Sequence, residues 1–190
     1  MSHLAGQVEN DLLQSIIYPS CGLSLLKTCP LCATELTVSA IGGKDRLVCL
    51  ACEFVHWDNP KPVTATLVPM DNGLVLVKRK LPPFVDSWCL PGGFIEAFEA
   101  PEESAIREVE EETGLKVEMD RVIGAFAPGK GINVVILFYL AKPATGAMVP
   151  GDDASDVGCF TADNLPADIA FPLHHQMIRD WFANKHGWKL

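Results

Sequence analysis

Apolar residues along this chain fall into short runs of strand length separated by turn residues, with two stretches of helical spacing. Leu36–Ile41 and Arg46–Cys49 read as a strand pair around Gly42-Gly43-Lys44-Asp45. Val63–Met70 and Leu74–Lys80 read as a second pair, joined by Asp71-Asn72-Gly73, since Asn-Gly between apolar runs favours a tight hairpin. Further strands are predicted at Val122–Phe126, Asn133–Ala141 and Val157–Phe160. A helix is predicted from Pro101 to about Thr113: proline suits the first turn, Glu102 and Glu103 suit the positive end of the dipole, and Gly114 stops it. Its apolar contacts are Ala105, Ile106 and Val109. A second helix is predicted from about Leu173 to Asn184. There Met177, Ile178, Trp181 and Phe182 form an apolar stripe that suits either core or a homodimer contact. His174 and His175, at its start, read as packing or surface histidines, with a substrate contact as the other reading. Asn10–Tyr18 reads as a short helix. Strands and helices in this order place the chain in the α+β class.

Length and composition bound what this pattern builds. With 190 residues, 48% hydrophobic and 21% charged, the chain suffices for one domain of ordinary size and a small satellite. A boundary falls at Trp57-Asp58-Asn59-Pro60-Lys61-Pro62, where two prolines stiffen the connection. The predicted organisation is an N-terminal segment over 1–24, a small β domain over 25–58 and a main domain over 59–190. The net charge of −9 argues against broad binding to nucleic acid, though not against a small anion held by a metal. The N-terminal residues lack a basic start followed by an apolar run, and the longest apolar runs are too short to span a bilayer. The expected setting is cytoplasmic, without membrane contact.

A reducing compartment directs attention to what the seven cysteines do. Cys29-Pro-Leu-Cys32 and Cys49-Leu-Ala-Cys52 are two C-x-x-C knuckles flanking the first hairpin. Two such knuckles supply four thiolates to one tetrahedral Zn²⁺, and a site with four cysteines leaves no open position, so the zinc is structural. Cys21 reads as a lone or buried thiol, and Cys89 and Cys159 as core residues.

The predicted first helix carries a different chemistry. Glu108, Glu111 and Glu112 stand at i, i+3 and i+4, on one face, with Arg107 the near cation. Taken alone, such a triplet also describes a solvated face. Hard divalent ions such as Mg²⁺ or Mn²⁺ prefer carboxylate oxygens and relieve the repulsion. Ahead of the helix, Gly92-Gly93 allows close approach of backbone to a ligand. The full spacing runs Gly93, five residues, Glu99, seven residues, then Arg107-Glu108-Val109-Glu110-Glu111-Glu112-Thr113-Gly114-Leu115.

At this spacing the chain resembles the Nudix hydrolase family, over about residues 62 to 185. The resemblance implies an α/β/α sandwich around a mixed sheet, here preceded by a small zinc ribbon. It also implies hydrolysis of a pyrophosphate bond in a nucleoside diphosphate linked to a second group. It makes Glu108, Glu111 and Glu112 the metal ligands, with Glu111 and Glu112 nearest to the water-activating role. Glu99 becomes an auxiliary ligand or loop-fixing carboxylate, Arg107 the residue that orients the glutamates, and Gly92 and Gly93 the turn presenting a backbone carbonyl to the metal. Outside the motif, Asp156 is the first choice for a general base and Asp153 the second. Arg79, in preference to its neighbour Lys78, and Lys130 are candidates for a phosphate, and Phe84 and Trp88 for stacking on a base. Phe98 stands where the family often has glycine. The ribbon also resembles the NADH pyrophosphatase branch, but that branch's SQPWPFP motif is absent. ADP-ribose or another ADP-sugar is therefore the expected substrate. NADH or FAD, a nucleoside triphosphate, and a non-catalytic nucleotide sensor are the alternatives.

Overall fold

In the computed structural model, residues 26–129, 131–151, 153–184 and 187 are described. The short helix predicted at Asn10–Tyr18, and Cys21, Lys130 and Asp152, lie outside them. The chain divides into two compact units, one comprising residues 1–60 with 129–133, the other 61–128 with 134–190.

The first unit is a three-stranded antiparallel sheet, β1 (Thr37–Ile41), β2 (Lys44–Val48) and β3 (Val55–His56), in the order β1-β2-β3. The expected four-residue turn is shorter, because Gly42 and Gly43 both take positive φ and close a two-residue hairpin. β3 escaped the pattern because two residues show no alternation. Buried Cys29, Leu36, Leu47 and Cys49 form a small core with Leu26 and Phe54 against it.

The second unit contains β4 (Lys61–Leu67), β5 (Pro69–Met70), β6 (Gly73–Arg79), β7 (Trp88–Cys89), the helix α1 (Pro101–Thr113), β8 (Met119–Phe126), β9 (Val134–Ala141), β10 (Ala154–Phe160) and the helix α2 (Pro172–Phe182). The strands form two sheets. One is mixed, β4-β9-β8, with β4 parallel to β9. The other is antiparallel, β10-β6-β5, with β7 on β6. The run predicted as one strand from Val63 to Met70 breaks at Val68, so that β4 serves one sheet and β5 the other. β10 begins three residues earlier than expected, inside the acidic stretch that looked like a turn.

β6 explains why its sequence does not alternate. Leu74, Val75, Leu76 and Val77 are all buried, so both faces are covered. α1 packs on β4, β9 and β10 through Ser104, Ala105, Val109 and Thr113. Ser104 lies 3.4 Å from the Thr64 hydroxyl of β4. The helix starts as expected. Pro101 occupies the first turn, and the Glu103 carboxylate accepts the Ala100 N–H at 3.0 Å. Gly114 ends it at φ 72. In α2, Met177, Ile178 and Trp181 are buried within the unit. The stripe is therefore core, and the feature that suited a homodimer is not an exposed face.

His174 is buried, with its ring 5.6 Å from Phe138 and 5.1 Å from Phe171. Burial, and secondarily the charge of Arg79, lowers its pKa to about 3. The unfolded chain then takes up this proton first as the pH falls. Stability associated with His174 is complete above its ordinary value near 6.5 and drains away towards pH 3. The expected result is that wild type loses more stability than His174→Asn over that window in denaturant titrations. Equal pH slopes would contradict it. Comparing the two proteins cancels the other titrating groups.

Candidate active site

Arg107 is the hub of the acidic helix face. Its Nε donates to Glu99 Oε1 at 2.6 Å and one terminal nitrogen to Glu99 Oε2 at 3.0 Å. The other terminal nitrogen donates to Glu108 at 2.8 Å and Glu111 at 2.9 Å. The Phe94 carbonyl and Ser104 hydroxyl complete its partners. Arg107 thus bonds Glu99, Glu108 and Glu111 at once. The bidentate pair, helped by the Glu96 N–H, holds Glu99 down to about 2. Both Glu99 oxygens are thereby engaged. These bonds tie the loop before α1 to Arg107 on the helix.

Glu112 lies deeper. Its Oε2 accepts the Gly92 N–H at 2.9 Å. Burial raises its pKa to about 7, with further upward pressure from Glu108 and Asp153 against the Gly92 hydrogen bond and Arg79. Burial also raises Glu108, against the pull of Arg107. Glu108, Glu111 and Glu112 line a cleft of about 550 Å³ with Gly151 and Asp153. The Gly151 N–H bonds the Glu112 carbonyl at 3.2 Å and the Val149 N–H bonds that of Thr113 at 2.8 Å. This loop thus occupies the end carbonyls of α1 while carrying Asp153 to the cleft.

The paired glycines have different jobs. A Cβ on Gly92 would strike the Thr64 backbone, whereas one on Gly93 would strike the Glu108 carboxylate. The Gly93 carbonyl is directed at the Thr64 N–H of β4, which it accepts at 2.8 Å. Gly93→Ala should leave the fold intact, because the clash is with a side-chain end. It should raise the Mn²⁺ concentration for half-maximal activation by roughly 10–100-fold. An unchanged activation curve would contradict this role for the missing Cβ.

Other expected site residues fare unevenly. Asp153 faces the cleft, whereas Asp156, the first choice for a general base, is not among its lining residues. Asp156 lies opposite Lys78, and its carboxylate accepts the Val157 N–H. Asp153 stands just ahead of β10, and the register with β6 shifts between Ala154 and Asp156. Lys78 stands 3.7 Å from Asp86. Arg79 is near enough for its charge to act on Glu112 and Cys89. Its guanidinium donates to the Pro83 and Leu81 carbonyls and lies 5.0 Å from the Phe171 ring centre. Phe84 meets Phe171 edge-on at 5.1 Å, and Trp88 meets Phe160 at 4.7 Å. Each ring thus has an aromatic neighbour within its own unit. The aromatic rings exposed beside the motif are Phe94 and Phe98, the latter fully exposed at φ 69. Phe98 was singled out for its position; nothing in the pattern pointed to Phe94.

The donor set fits a hard divalent cation. Oxygen donors dominate, Glu108 and Glu112 are half-buried, and the nearby guanidinium does not balance the charge. Glu108 and Glu111 share one nitrogen of Arg107, and Glu112 is held by the Gly92 N–H. Among the described residues, convergence within 4.8 Å is a property of the four knuckle thiols. Cys29 and Cys52 sulfurs are 3.5 Å apart, as are those of Cys32 and Cys49. Four sulfurs bound to one Zn²⁺ at about 2.3 Å would stand about 3.8 Å apart, so little movement is needed. The two knuckles share one geometry: Ala33 and Glu53 take φ 60 and 61 and donate to the carbonyls of Cys29 and Cys49.

Residues 60–181 match the family described as NUDIX domain. The chain belongs to the Nudix hydrolase family. This Nudix protein is 33% identical over 132 residues to an ADP-ribose pyrophosphatase of Methanocaldococcus jannaschii, covering 68% of this chain and 77% of that one. It is 28% identical over 166 residues to an NAD-capped RNA hydrolase NudC of Stutzerimonas stutzeri, covering 85% of this chain and 58% of that one. The latter match is longer than the NUDIX segment and so reaches beyond it. A Nudix hydrolase structure from Nitrosomonas europaea superposes with a TM-score of 0.78 at 27% identity, covering 85% of this chain and 93% of that one. The NudC likeness reopens the expected exclusion of nucleic acid, since a relative acts on capped RNA. No helix among the described residues is long and apolar enough to cross a membrane.

Proposed function

We propose that this Nudix hydrolase cleaves the pyrophosphate bond of ADP-ribose or a related ADP-sugar, giving AMP and a phosphorylated sugar. The observation that carries the reading is the cleft lined by Glu108, Glu111, Glu112 and Asp153. The Methanocaldococcus relative supports the choice of substrate class.

Glu108, Glu111 and Glu112 would hold Mg²⁺ or Mn²⁺, with the Gly92 carbonyl in place of Gly93's. Such ions neutralise the diphosphate and lower the pKa of bound water. The chain's own part is positional. Arg107 holds Glu108 and Glu111 at the cleft, and the Gly92 N–H holds Glu112. Asp153, approaching from the opposite loop, accepts the proton of the attacking water. Water adds across the P–O–P bridge: its oxygen joins one phosphorus and the bridging oxygen leaves on the other. Arg79 supplies positive charge behind Glu112. Cys29, Cys32, Cys49 and Cys52 would hold a structural Zn²⁺.

A second reading is an NADH-type or capped-RNA pyrophosphatase, favoured by the NudC match that extends beyond the NUDIX segment. The experiment is a panel of ADP-ribose, NADH, FAD, NAD-capped RNA, diadenosine polyphosphates and nucleoside triphosphates, with Mg²⁺ and then Mn²⁺. Products are identified by mass spectrometry. AMP and ribose 5-phosphate in clear preference support the reading. Preference for NADH or capped RNA would replace it, and tight binding without turnover would indicate a sensor.

A further inference from the structure

The segment Trp88–Gly93 crosses from one sheet of the catalytic unit to the other. Its odd-numbered residues face the sheets. Cys89 lies opposite Val77 in β6, while the Pro91 and Gly93 carbonyls accept the N–H groups of Thr66 and Thr64 in β4. The even-numbered residues face the other way, and all three of their N–H groups are bonded. Trp88 donates to the Asp168 carbonyl at 2.9 Å, Leu90 to His174 Nδ1 at 3.2 Å, and Gly92 to Glu112 Oε2 at 2.9 Å.

The middle bond is the unusual one. Residues 168–170 run beside Trp88, and Ala170 returns a bond to its carbonyl at 2.7 Å. The chain then turns at Phe171, φ 62, and enters α2 at Pro172. The backbone has left just where Leu90 needs its acceptor. His174, in the first turn of α2, fills that place with a ring nitrogen. Its proton must therefore sit on Nε2. Phe138 and Phe171 fix the ring on its sides.

We propose that His174 is a positioning residue for hydrolysis: it stands in for a missing strand carbonyl, anchors Leu90, and so fixes the Gly92 N–H that holds Glu112. This rests on the role proposed above for Glu112. An extended chain has little freedom between two pinned residues, so releasing Leu90 loosens Gly92, two residues on. Nothing in the sequence marks His174 for this, since the bond spans 84 residues.

The test uses acceptor position. In His174→Asn the amide oxygen falls where Nδ1 was; in His174→Gln it falls one bond farther out; His174→Leu has none. The readouts are hydrogen exchange at the Leu90 and Gly92 amides, Mn²⁺ uptake, and kcat with KM. With Asn, Gly92 should stay protected and kcat should remain close to wild type. With Gln and Leu, Gly92 should exchange faster, Mn²⁺ uptake should weaken and kcat should fall by roughly 10-fold or more, with KM little changed. Ile178→Ala, buried on the same helix but off this ladder, should lower Tm without those effects. If His174→Leu does not fold, the Asn and Gln pair decides. Identical Gly92 exchange in Asn and Gln, or an Ile178→Ala protein that copies the Gln defect, would overturn the proposal. Amide exchange needs neither substrate nor metal. A wild type with a protected Gly92 amide but no turnover would count against the hydrolase reading and not against this one.

Discussion

Glu112→Gln lowers kcat on the order of 10³-fold while raising the stability of the metal-free protein. The amide oxygen of glutamine still accepts the Gly92 N–H, so the loop keeps its place; what is lost is the charge. The stability gain follows from burial. Because Glu112 is raised to about 7 in the folded state, its carboxyl is favourable below the unfolded value near 4.5. That advantage is lost as the pH climbs through 7. At pH 8 the metal-free wild type carries a buried charge that the variant lacks, and the variant should melt higher. Below pH 4.5 the two should melt alike. Mn²⁺ should raise the wild-type Tm and leave the variant nearly unmoved. AMP release and calorimetry across pH check both halves. Turnover unchanged by the substitution would remove Glu112 from the metal platform. A melting advantage independent of pH would remove burial as its cause.

Stripping zinc should unfold the ribbon and spare the catalytic unit. The ribbon's core is four buried residues, two of which are knuckle cysteines. Such a core supplies too little burial to order 30-odd residues by itself, so metal binding is its folding energy. Structural Zn²⁺ sites contribute apparent binding energies of about 10–16 kcal/mol. Cys49→Ser removes a buried thiolate and should give the same result as chelation. The expected outcome is release of one zinc per chain, loss of amide dispersion for β1 to β3, and preserved dispersion for β6 and α1. Hydrolysis should persist at least in part. A ribbon that stays folded without metal would refute the zinc assignment, and immediate complete loss of turnover would refute its purely structural role.

Much of this was legible along the chain because it is local. The two knuckles, the turn glycines, the bounds of α1 and the glutamate face each depend on residues within a few positions. What local pattern missed was short or shared. β7 is two residues hidden in a proline-rich loop, and β5 was fused to β4 because both halves are apolar. The Phe84 and Trp88 rings looked free because their partners, Phe171 and Phe160, lie over 70 residues away.

By itself, then, the sequence determined that carboxylates are gathered on one helix face behind a glycine pair, and that four thiols stand ready for one ion. Spacing decides those matters, since a helix turn and a hairpin bring their own residues together. Tertiary structure decided how the carboxylates divide. Glu99 goes to Arg107 and the Glu96 N–H, Glu112 goes under a backbone N–H, and Asp153 reaches the cleft that Asp156 does not line. It also turned the Gly93 carbonyl into β4 and gave Leu90 a histidine for its missing partner. The reason is burial and long-range pairing: which oxygen faces a cation depends on what else competes for it, and those competitors come from distant strands.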